Sequence, residues 1–112
     1  MIYTAIGLFA LSAVFGLTIL IKWLTNKDAS KAVIYSHGIV AAAALVLLLA
    51  FALQNPSDYP QLSLILFIVA AIGGFYMFFR DLMKKTSPMA IAFVHGLLAV
   101  AGFVALLVFV FV

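Results

Sequence analysis

Four long apolar runs, broken by three short polar stretches, set the plan of the chain. The runs cover residues 2–23, 32–53, 62–79 and 88–112, and the polar stretches cover 24–31, 54–61 and 80–87. A helix needs roughly 20 apolar residues to cross a bilayer. The pattern therefore predicts four transmembrane helices joined by short loops. Short loops make consecutive helices antiparallel neighbours. The expected fold is an all-α membrane protein, an up-down-up-down four-transmembrane-helix bundle forming one domain over 1–112. Local signals agree with these limits. Ser30 is a candidate N-cap for the second helix, and Ser87 is expected to cap a fourth helix whose first residue is Pro88. Pro56 and Pro60 mark the middle turn, and Trp23 suits the aromatic belt at a membrane interface.

The same pattern occurs twice. A shift of 58 positions lays the first half on the second without a gap. Gly16 falls on Gly74, Lys27 on Lys85, His37 on His95 and Gly38 on Gly96. Ala41, Leu48 and Phe51 fall on Ala99, Leu106 and Phe109, and Lys22 meets Arg80. Matches among Ala, Leu and Val mean little in so apolar a chain, but matches of His, Gly and Lys do not arise so easily. They indicate an internal repeat of a helix hairpin, with one copy over 1–54 and the other over 59–112.

Charge placement adds an orientation. Lys22, Lys27 and Lys31 flank the first connection, and Arg80, Lys84 and Lys85 flank the third. These are all six basic residues, and the positive-inside rule makes their side cytoplasmic. Both termini are then expected on the outer side, and the two hairpins would be parallel repeats related by an axis along the membrane normal. Composition supports a lipid solvent. The chain is 69% hydrophobic and 8% charged, with mean hydropathy +1.38, whereas a soluble domain carries about a quarter charged residues. The expected location is a bacterial inner membrane. The first run lacks a basic leader and a cleavage pattern, so it is expected to be retained as a helix. With almost no chain outside the spans, no nucleic-acid-binding arm is expected. The absence of cysteine excludes disulfides and thiolate chemistry.

His37 and His95 are the only ionisable side chains well inside the apolar runs. Each lies seven residues past its helix-start signal, roughly 10 Å into the span at 1.5 Å per residue. Gly16 and Gly74 come to the same depth on the first and third helices. In the expected bundle the histidines lie on diagonal helices. One turn beyond them are the small residues Ala41 and Ala99, then Ala44 and Gly102. Inward histidines beside small residues would leave room for a flat ligand, and the glycines would leave room for its edges. One haem with two axial imidazoles suits this set, with His37 and His95 as iron ligands. Lys31, Arg80 and Lys84 are candidates to meet the propionates.

In the pairs His37-Gly38 and His95-Gly96 and the layer of Gly16 and Gly74, the chain resembles membrane b-type cytochromes. It also looks like small bacterial four-helix membrane proteins. The first resemblance implies one haem b and a role in electron transfer or haem handling, with a membrane redox partner or a second copy of the chain as partner. Other readings stay open: a non-catalytic scaffold or assembly subunit whose histidines join helices, a small transporter or channel subunit, or a quinone in place of haem. Drug exchange of the small multidrug transporter kind lacks its membrane glutamate, since Asp28, Asp58 and Asp81 all lie in loops and the chain has no Glu. Two histidines fall short of the three protein ligands of a catalytic zinc, and no set of groups for hydrolysis shares one layer.

Overall fold

A computed structural model describes residues 1–112. It contains four helices: α1 (Ile2–Leu24), α2 (Lys31–Gln54), α3 (Gln61–Leu82) and α4 (Met89–Phe111). They form two compact units, Met1–Ser57 and Asp58–Val112, each a helical hairpin. All four helices are long and apolar enough to cross a membrane. Their 22 to 24 residues correspond to about 33–36 Å at 1.5 Å per residue.

The ends differ from expectation chiefly in two places. α3 continues through Arg80 and Asp81 to Leu82, so these polar residues form its last turn rather than a loop. Pro88 is the residue before the first helical one, and Ser87 makes no capping bond. The remaining shifts are single residues at frayed ends. Ser30 caps α2 as expected, its side-chain oxygen accepting from the Val33 amide at 3.2 Å.

Both hairpin turns are Schellman motifs. Asn26 and Lys84 take φ of 58°. The amide of Lys27 donates to the carbonyl of Lys22 and that of Asn26 to Trp23. In the second turn Lys85 donates to Arg80 and Lys84 to Asp81. These bonds satisfy helix-end carbonyls that would otherwise lack partners. The Arg80 side chain closes the second turn further, with Nε and Nη2 donating to the Thr86 carbonyl at 2.9 and 2.6 Å. Its guanidinium carbon also lies 5.7 Å from the Tyr76 ring centre.

The cores of the hairpins match position for position along the first helix of each. In the first, Ala5, Phe9, Ser12 and Ile19 of α1 are buried with Ala44 and Leu48 of α2. In the second, Ser63, Phe67, Ala70 and Met77 of α3 are buried with Ala92, Gly102 and Leu106 of α4. The spacing of four, three and seven residues is that of one helix face. One exchange stands out. The hydroxyl of Ser63 donates to the Gly102 carbonyl at 2.7 Å, where the first hairpin has Ala5 and Ala44. Gly102 admits the Phe67 ring, since a Cβ there would lie 3.2 Å from Phe67 Cδ1. Only 11 to 22% of each apolar stretch is buried. Most of the apolar side chains therefore point away from the partner helix of their own hairpin.

Candidate functional site: the two histidine stations

Each histidine is positioned by the other helix of its own hairpin. His37 projects from α2 onto α1. Its Nδ1 lies 2.8 Å from the Ser12 carbonyl and 3.1 Å from Ser12 Oγ. A carbonyl only accepts, so Nδ1 carries the proton and donates. The Ser12 hydroxyl in turn donates to the His37 carbonyl at 3.2 Å. His95 projects from α4 onto α3 in the same way, with Nδ1 donating to the Ala70 carbonyl at 2.7 Å. Ser12 and Ala70 are equivalent under the 58-residue shift, so the two stations share one backbone contact.

The glycines one turn further along complete the arrangement. A Cβ on Gly16 would lie 2.9 Å from His37 Cε1, and one on Gly74 would lie 3.0 Å from His95 Cε1. The first is closer than real Cβ contacts come, and the second is tighter than nearly all of them. The space left by each glycine is therefore taken by an imidazole, not held open for the edge of a porphyrin as sequence reasoning suggested. Gly16 and Gly74 hold the histidines close to the opposite backbone.

The other candidate residues divide. Gly38 and Gly96 face nothing within 4 Å of an added Cβ, so hairpin packing places no demand on them. Ala41 and Ala99 are half-buried one turn past the histidines, while Ala44 and Gly102 belong to the hairpin cores. Arg80 donates to the Thr86 carbonyl, and Lys84 occupies the turn. No third His, Cys, Asp or Glu gathers with either histidine as a metal-binding group. Ser12 and the carbonyl of Ala70 escaped the sequence reading. A backbone acceptor has no sequence signature, although a serine four residues before the matched glycine was a hint.

A neutral imidazole that donates through Nδ1 carries its lone pair on Nε2. The hydrogen bond sets the tautomer and the ring orientation together, which is how protein frameworks prepare histidine as a metal ligand. The same bond joins two helices, the commoner use of polar groups within a membrane. Comparisons with protein-family models, curated proteins and solved structures give no match to this chain.

Proposed function

We propose that the chain is an integral protein of a bacterial inner membrane, with four spans and both termini on the outer side, that holds one haem b between His37 and His95 for electron transfer or haem handling. One observation carries the reading: both histidines donate from Nδ1 to an equivalent backbone carbonyl, at 2.8 and 2.7 Å. In its neutral form a ring that donates through Nδ1 carries the lone pair on Nε2, the nitrogen that would ligate iron. Two imidazoles suit haem because the porphyrin supplies the other four ligands, and bound haem would supply one-electron chemistry. The two hairpins act as parallel repeats that contribute one ligand each. Any redox partner is met in the membrane or at the basic loops.

The same hydrogen bonds favour a second reading, a membrane scaffold whose histidines pin α1 to α2 and α3 to α4. No buried side-chain polar atom lacks a partner, which fits a purely structural role equally well. An optical spectrum separates the two. Protein purified in detergent from haem-replete cells, oxidised and then reduced, should show a stoichiometric Soret band and sharp reduced bands. His37→Ala and His95→Ala should each lose the six-coordinate spectrum. A colourless protein that takes up no added haem would sink the haem reading and leave the scaffold.

A further inference from the structure

The turn between α1 and α2 carries a pocket of its own. It has a volume of about 360 Å³ and is lined by Thr18 and Lys22 of α1, by Asp28, Ala29 and Ser30 of the turn, and by Val33 of α2. One ammonium, one carboxylate and two hydroxyls thus line one space. The hydroxyls have opposite parts to play. Thr18 Oγ1 donates to the Val14 carbonyl at 3.0 Å, which leaves its lone pairs to accept. Ser30 Oγ accepts from the Val33 amide at 3.2 Å, which leaves its proton to donate. The pocket therefore offers two donors, Lys22 and Ser30, and two acceptors, Asp28 and Thr18. The second hairpin lacks this set. Under the 58-residue shift Tyr76 stands for Thr18, Arg80 for Lys22, Thr86 for Asp28 and Pro88 for Ser30. The carboxylate and the serine hydroxyl are gone, although the second hairpin closes with the same Schellman bonds. The polar lining is thus not something the repeated hairpin needs in order to turn.

We propose that this pocket binds a phosphoester that carries a primary ammonium, the headgroup of phosphatidylethanolamine. Lys22 and Ser30 take the phosphate, and Asp28 and Thr18 take the ammonium, through charge-assisted hydrogen bonds. An anionic headgroup would be repelled by Asp28. A choline headgroup has no N–H to donate to it. The inference rests on the reading of the helices as membrane spans and does not involve haem. At 1.5 Å per residue α1 and α2 are about 35 Å long. A hydrocarbon core is about 30 Å thick, so their shared turn lies at the headgroups. Trp23, next to Lys22 in sequence, is a residue type that favours this level.

The probe is dioctanoyl phosphatidylethanolamine, added to delipidated protein in detergent and counted by native mass spectrometry, with the choline and glycerol lipids beside it. The expected result is one saturable ethanolamine lipid per chain, bound about tenfold more tightly than either of the others, the worth of one hydrogen bond to a charged group. The isosteric Asp28→Asn should abolish the preference over the glycerol lipid. Lys22→Ala should weaken the ethanolamine lipid by about the same factor. Lys27→Ala removes a cation of the same turn that does not line the pocket, and should change nothing. Equal binding of the three lipids by the parent protein, or an undiminished preference in Asp28→Asn, overturns the pocket as the site. Soluble glycerophosphoethanolamine that binds as tightly as the lipid overturns the membrane as its source. A protein that alkaline carbonate strips from cell membranes overturns the spanning reading itself, and an integral protein without headgroup preference overturns the pocket alone.

Discussion

Gly16 and His37 fit each other as a missing side chain fits a ring: a methyl group on the glycine would fall 2.9 Å from His37 Cε1. Gly16→Ala must therefore displace the imidazole from the Ser12 carbonyl or push α1 and α2 apart, and Gly74→Ala must do the same to His95. Overpacking of this kind costs about 1–3 kcal/mol. Reversible unfolding in mixed detergent should show that loss, and haem retention should fall with it. Gly38→Ala, where an added Cβ meets nothing within 4 Å, is the control and should be neutral or slightly stabilising.

Ser12→Ala converts the first station to the pattern of the second. Hydrogen bonds between membrane helices are worth about 0.6 kcal/mol on average. The substitution should cost an amount of that order, and Ala70→Ser should recover a similar amount in the second hairpin. A double-mutant cycle of Ser12→Ala with His37→Ala, read by the same unfolding assay, should show positive coupling. Strict additivity would mean that the hydroxyl contributes nothing to holding the ring.

Lys84 carries a side chain at φ 58°, a conformation that costs an L-residue roughly 1–2 kcal/mol and glycine very little. Lys84→Gly should raise stability by about 1 kcal/mol. Asn26→Gly should gain less, because asparagine tolerates this region better. Melting temperatures of the single variants test the order. A destabilised Lys84→Gly would show that the lysine side chain contributes more than its backbone conformation costs.

Since the chain has no cysteine, topology can be mapped without clearing a background. Single cysteines at Lys27 and Lys85 should be protected from a membrane-impermeant maleimide in intact cells and react after lysis. A cysteine at Asp58 should react in intact cells. Labelling of all three from outside would refute the proposed orientation.

Much of this arrangement was legible in the chain. Hydropathy outlined four helices, Ser30 announced its cap, and the depth count put Gly16 and Gly74 level with the two histidines. What stayed hidden depends on main-chain atoms. The acceptors for His37 and His95 are carbonyls, which every residue has, so no residue type marks them. The Schellman turns lacked their usual glycine, with Asn26 and Lys84 in its place, and so read only as polar loop. The bonds from the Arg80 guanidinium to the carbonyl of Thr86 were hidden for the same reason as those of the histidines.

The bonds from His37 to the Ser12 carbonyl and from His95 to the Ala70 carbonyl each span 25 residues of sequence and close within one hairpin. A ribosome that has released α2 has released both ends of the bond between His37 and Ser12. That bond can form before α3 is synthesised, and the bond between His95 and Ala70 needs only the second half of the chain.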